Sequence, residues 1–248
     1  MEPLHIALLV GVGGVAGVIN TLAGGGSLLS VPLLVFVGLP GDLANGTNRI
    51  GVAVQCATAT WRFRAEGISG LSRALPVLVP VCLGSLIGAA AISQLGATQF
   101  ERLFGIVMLL LLYPTLRGGL GEPRSREPAR TWPAPLRFGV FFVIGLYGGA
   151  VQAGVGLLLI VALDHSGIDL VLANSIKVVV VMVLTLVAVP VFILEGQVVW
   201  GPAIALTAGF ATGGIAGARL AIHGGERLIR PALAVAVVAL AGRMLDLY

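Results

Sequence analysis

Leu43-Ala44-Asn45 returns about 129 residues later as Leu172-Ala173-Asn174, and at the same spacing Glu66-Gly67 returns as Glu195-Gly196. Gly84, Gly88 and Ala89 return as Gly213, Gly217 and Ala218, and with one residue of slippage Ala23-Gly24-x-Gly26 returns as Ala153-Gly154-x-Gly156. The copies differ in charge. Arg62, Arg64 and Arg73 frame the loop after Glu66, whereas the loop after Glu195 has no Lys or Arg. Two copies of one unit with opposite end charges are what an inverted repeat in a bilayer looks like, and inverted repeats build many secondary transporters.

A bilayer is the only solvent that fits. The chain is 57% hydrophobic and 10% charged, with mean hydropathy +1.03. A water-exposed domain carries about 25% charged residues, so the polar surface here is too small to hydrate a globule. The 36 glycines agree, because small residues let membrane helices approach closely. Cys56 and Cys82 sit in apolar segments without metal-ligand spacing, and His5, His165 and His223 are scattered, so neither metal nor cofactor is expected. The net charge of +4 follows from short basic loops and does not imply nucleic acid. Glu2 and the lack of early Lys or Arg argue against a cleaved signal, so the first segment is expected to be retained.

Apolar runs of roughly membrane length fall at about 4–37, 43–61, 74–94, 100–117, 134–163, 169–194, 198–221 and 228–246. The first is broken at Asn20 and Gly24-Gly25-Gly26, the fifth at Gly148-Gly149, Gln152, Gly154 and Gly156. Interrupted segments at matching places in two halves predict broken helices lining a site. The expected fold is all-α and membrane-integral. It comprises a first repeat over 1–117, a cytoplasmic linker over 118–133 and a second repeat over 134–248. Each repeat is a broken-helix hairpin plus three spans.

Arginine placement weighs inverted against parallel repeats. Leaving out the intramembrane Arg49 and Lys177, inversion puts 11 of the Lys and Arg residues on one face and 2 on the other; the parallel arrangement gives 9 and 4. The positive-inside rule favours the more lopsided split. It places the arginine-rich face in the cytoplasm of a cell inner membrane.

A charge inside a membrane costs on the order of 3 kcal/mol or more at a helix centre, yet Arg49 and Lys177 both lie inside apolar regions. Neither has an Asp or Glu within several residues. Either each snorkels to an interface, or the pair attracts an anion. On the second reading, Arg49 and Lys177 supply charge, with polar contacts from Asn20, Asn45, Thr47, Asn48, Gln152, Asn174 and Ser175. Gly24, Gly25, Gly26 and Ser27, with Gly154 and Gly156, would add backbone N–H groups where half-helices begin. Glu66 and Glu195, at the ends of spans, are candidates for proton coupling. Gly84-x-x-x-Gly88 and its copy Gly213-x-x-x-Gly217 are expected to pack helices. Gly11-x-Gly13-x-x-Ala16 lacks the strand and acidic residue of a dinucleotide site, and no Walker sequence or catalytic constellation is present, so an enzyme is not expected.

These residues resemble the sulfite exporter TauE/SafE family, also called the toluene-sulfonate uptake permease family. The resemblance covers nearly the whole chain. Its first-half motifs are Gly17-Val18-Ile19-Asn20-Thr21-Leu22-Ala23-Gly24-Gly25-Gly26-Ser27 and Leu43-Ala44-Asn45-Gly46-Thr47-Asn48-Arg49. In the second half they are Gly148-Gly149-x-x-x-Ala153-Gly154-x-Gly156 and Ala173-Asn174-Ser175-x-Lys177, with Val155 interrupting the glycines. The resemblance implies a transporter of a sulfur-containing or other small organic anion across the inner membrane. Sulfite, an organosulfonate and a carboxylate offer similar oxygens to these donors. An anion-selective channel using the same cations, and a membrane subunit that needs partners, are the alternatives.

Overall fold

The computed structural model describes residues 2–116, 132–164 and 169–223. The eighth apolar region and nearly all of the linker lie outside the described residues. Every regular element among them is an α-helix: α1 (Pro3–Ala23), α2 (Ser27–Phe36), α3 (Gly41–Ala65), α4 (Leu71–Ile92), α5 (Ala97–Leu116), α6 (Ala134–Ala150), α7 (Val155–Asp164), α8 (Leu170–Leu194) and α9 (Trp200–Ile222). Helices satisfy their own backbone groups, as hydrocarbon requires.

Helices α1, α4, α8 and α9 are long and apolar enough to cross a bilayer. Helix α3 has 25 residues, equally long, but polar residues from Asn45 to Arg49 lower its hydropathy. It needs no apolar surface there, because α1, α2, α5, α8 and α9 all pack against it. Lipid instead meets the exposed Leu75, Val79, Leu83 and Leu86 of α4, and Leu186 and Leu194 of α8.

Both expected breaks are present. Gly24, in the left-handed region at φ 74°, ends α1, and its N–H donates to Asn20 O at 2.9 Å. The chain then reverses so tightly that a side chain at Gly26 would strike Ala16 and Asn20. The second break runs from Val151 to Gly154, between α6 and α7. It holds Gln152 at φ 65° and Gly154 at φ 71°, and the Tyr147 hydroxyl donates to Ala153 O to close it.

Glycine faces set the tightest helix contacts. Gly13 and Gly17 of α1 meet Leu206, Gly209, Phe210 and Gly213 of α9, while Gly84 and Gly88 of α4 meet residues 142–150 of α6. Residue numbers rise together across each contact, so both pairs run parallel. The pairs also correspond: α1 and α9 in one, α6 and α4 in the other, are each other's repeat counterparts.

Connecting loops repeat this reciprocity. Gly70 N–H, after α3, donates to Ser175 Oγ in the first turns of α8 at 3.0 Å. Val199 N–H, after α8, donates to Thr47 Oγ1 in the first turns of α3 at 3.0 Å. Each helix thus starts where the other has just ended, so α3 and α8 run in opposite directions. One continuous apolar core runs through both halves.

Candidate functional site

The two helix breaks meet each other. A methyl added to Gly24 would collide with the Cα of Gly156, and one added to Gly156 with the Cα of Gly24. The glycines at these positions therefore permit backbone-to-backbone contact between the halves. The Lys177 stem lies against Gly156, and its Cδ is 3.1 Å from where a Cβ would stand there.

Arg49 and Lys177 flank these breaks. They are 0% and 1% exposed, so neither snorkels to an interface. Arg49 is built on α3 but reaches the last turn of α6: Nη1 donates to Gly148 O at 3.1 Å, and Nη2 donates to Gly149 O at 2.6 Å and Ala150 O at 2.9 Å. The terminal carbonyls of a helix lack intrahelical donors and form the negative end of its dipole, so the guanidinium is their natural partner. The Phe192 ring of α8 lies 4.4 Å from the guanidinium carbon. Lys177 makes the reverse connection. It is built on α8, and its Nζ donates to Thr21 O in the last turn of α1 at 2.6 Å, and to Asn174 Oδ1 at 2.7 Å.

Each half therefore sends one cation into the helix break of the other. Charge-assisted hydrogen bonds contribute about 1.5–3 kcal/mol each, and a desolvated cation–π contact about 2 kcal/mol. Three such bonds and the ring can offset a burial cost on the order of 3 kcal/mol or more for Arg49. Among the described residues, backbone and amide carbonyl oxygens accept from both cations.

The remaining predicted polar residues divide into groups. Asn45 donates through Nδ2 to Ala150 O at 3.0 Å, beside Arg49. Asn20 Nδ2 donates to Gln55 Oε1 at 2.6 Å, and Gln55 Nε2 donates to Thr21 Oγ1 at 2.6 Å. Asn48 Nδ2 donates to Ser27 Oγ at 3.0 Å and its Oδ1 accepts from Ser30 Oγ at 2.5 Å, which ties α3 to the start of α2. Gln152 Nε2 donates to Thr185 Oγ1 at 2.6 Å. Asn20, Asn48 and Gln55 tie the first break to α3, whereas the second is tied to α8 by Gln152 and to α3 by Asn45.

Thr47 and Ser175 are placed differently: both hydroxyls accept from the connecting loops described above. Glu66 and Glu195 lie exposed at the C-terminal ends of α3 and α8. Glu66 forms an ion pair with Arg62. Among the described residues, no group of three or more His, Cys, Asp or Glu could hold a metal.

Sequence reasoning missed Thr21, Gln55, Thr185 and Phe192. Gln55 carried a legible signal, an amide well inside a span; the others are residues of types found throughout membrane helices.

Buried atoms without a partner also gather here. Arg49 Nε, Asn45 Oδ1 and Gln152 Oε1 have none among the described residues. Arg49 and Asn45 both bond Ala150 O, so two of these atoms belong to side chains on the same carbonyl.

The family model described as "Sulfite exporter TauE/SafE" matches residues 9–244. The chain is 28% identical to a "Probable membrane transporter protein" of Haemophilus influenzae, over 96% of this chain and 94% of that one. It is 26% identical to the "Probable membrane transporter protein YfcA" of Escherichia coli K12, over 99% and 91%. A third relative, the "Probable membrane transporter protein ORF9" of a Sinorhizobium species, is 24% identical over 93% and 88%. No solved structure matches the chain.

Proposed function

The chain belongs to the TauE/SafE sulfite exporter family of membrane transporters, and from that premise we propose that it is a secondary transporter moving sulfite or an organosulfonate by alternating access between inverted repeats. The observation that carries this reading is the reciprocal exchange of cations. Arg49 of the first half holds the end of α6, and Lys177 of the second half holds the end of α1. An oxyanion reaching the breaks offers both cations better acceptors than neutral carbonyls. The binding free energy then loosens the contacts that join the halves, which is the differential interaction a conformational change requires.

Asn20, Asn45, Asn48, Gln152 and Asn174 surround the same breaks, and the starts of α2 and α7 present the positive ends of half-helices. The opposed directions of α3 and α8 support the inverted arrangement, since these helices are counterparts in the two repeats. In this reading the ends of α3 and α9 and the starts of α4, α6 and α8 face the cytoplasm of the inner membrane. They carry Arg62, Arg64, Arg73, Arg137 and Arg219, as the positive-inside rule prefers. Glu66 and Glu195 then lie at opposite faces, where either could exchange protons with its own compartment.

Flux of labelled sulfite into proteoliposomes, with and without a pH gradient, tests the proposal. Saturable uptake by the unaltered protein, abolished in a folded Lys177→Ala variant, is expected. Undiminished flux in that variant would remove Lys177 from the site, and non-saturating conductance would make the protein a channel. Uptake of carboxylates without uptake of sulfite or methanesulfonate would overturn the substrate.

A further inference from the structure

A cavity of about 550 Å³ opens at the arginine-rich end, away from the buried cations. Its lining includes Ser69, Ser72, Arg73, Asp169, Leu172 and Ile222. These belong to the loop and first turn of α4, the start of α8 and the end of α9, so both halves contribute. The volume suits a small ligand with its water.

The chemistry of this cavity suits an oxyanion. Arg73 makes no ion pair among the described residues. Ser69, just before α4, and Ser72, in its first turn, are exposed beside it, at the end of a 22-residue helix where the dipole is positive. Asp169 is the acidic residue of the lining, and its carboxylate is already engaged: Oδ2 accepts from Val171 N at 3.0 Å and from Leu172 N at 3.4 Å as the cap of α8.

The cavity lies over the site. Leu172 is in its wall, and Asn174, Ser175 and Lys177 follow on the same helix, within about 7.5 Å of axial rise. Between them stands Gly70, packed so closely on the backbone of Ser175 and Ile176 that no side chain fits, and donating its N–H to Ser175 Oγ.

Resting on the transport reading above, we infer that this cavity is the mouth through which an oxyanion reaches Lys177. Arg73 is its capture residue, and the Gly70–Ser175 hydrogen bond is the gate between mouth and site. The closure is one neutral hydrogen bond and the backbone contact beside it, with no side chain at Gly70 to hold the two elements together. The counterpart bond, from Val199 to Thr47, closes the other end. The loop there carries no Lys or Arg, so it offers no counterpart to Arg73.

Sulfite flux from the arginine-rich side of proteoliposomes tests this with Arg73→Gln and Arg73→Lys. Arg73→Gln is expected to raise KM about 1.5-fold to fivefold, the range of an exposed charge contact, with kcat unchanged and the salt dependence of KM reduced. Arg73→Lys is expected to restore KM. In a Cys56→Ala, Cys82→Ala background, Ser69→Cys is expected to react with a membrane-impermeant thiosulfonate from that side, more slowly when methanesulfonate, which unlike sulfite does not consume the reagent, is present. An unchanged KM in Arg73→Gln, a loss confined to kcat, or labelling indifferent to methanesulfonate, in a protein that transports sulfite and methanesulfonate, overturns the mouth and leaves the transporter standing. A folded protein that moves no sulfite overturns the transporter reading and this inference with it.

Discussion

Gly24 shows how much one missing side chain determines. Two separate demands fall on it: a left-handed backbone at φ 74°, and contact with the backbone of Gly156. Gly67 meets only the first demand, with φ 76° and nothing within 4 Å of where a methyl would stand. The pair therefore separates backbone strain from collision. Gly67→Ala is expected to cost about 1–2 kcal/mol, the penalty for a left-handed non-glycine residue. Gly24→Ala adds overpacking of about 1–3 kcal/mol and is expected to melt at a clearly lower temperature in detergent. Equal melting temperatures for the two variants would show that the breaks do not touch. Gln152 accepts a similar backbone penalty at φ 65° without being glycine. Its Nε2 hydrogen bond to Thr185 at 2.6 Å is what it receives in return.

At the scale of helices, the pattern of small residues was legible as packing, and the structure supplies the partners. Gly84 and Gly88 of α4 accommodate the backbone of α6, while Gly213 and Gly217 do the same for α1. Leu83, on the same helix as Gly88, is 47% exposed and faces outward. Gly88→Leu is expected to force α4 from α6 and destabilise the protein by at least about 1–3 kcal/mol. Leu83→Ala, on the lipid-facing surface, is expected to stay within about 0.5 kcal/mol. Thermal unfolding of both variants in the same detergent checks the contrast, and a larger loss for Leu83→Ala would reverse the assignment of faces. Helix α3 teaches the complementary lesson. Its hydropathy is low because its surroundings are protein, so a scale built on lipid contact underrates the helix that carries Asn45, Asn48, Arg49 and Gln55.

For the molecule as a whole, the reciprocal loop contacts and crossed cations give the two halves one interface, in which corresponding groups exchange places. If the repeats are inverted, residues at equivalent positions face opposite sides of the membrane. Glu66 and Glu195 are such a pair, both exposed and both at the ends of their helices. In a background with Cys56→Ala and Cys82→Ala, Glu66→Cys and Glu195→Cys are expected to react with an impermeant thiol reagent from opposite sides. Labelling of both from one side would make the repeats parallel and leave the crossing cations without the inverted mechanism proposed here.

The sequence by itself determined the solvent, the repeat, the positions of both breaks and the two intramembrane cations. Each is written along the chain, as composition, periodicity or an interrupted apolar run, and needs no knowledge of neighbours in space. The limits of the first seven predicted regions accordingly fall close to those of α1 through α9; the eighth lies outside the described residues. Only the tertiary structure decided what Arg49 and Lys177 touch. Besides Asn174 Oδ1, three residues before Lys177, they reach the backbone carbonyls of Thr21 and of Gly148, Gly149 and Ala150, and every residue carries a carbonyl, so nothing in the sequence marks these four as acceptors. What singles them out is that their helices stop there and leave acceptors unmet, opposite a cation that only the fold brings within reach.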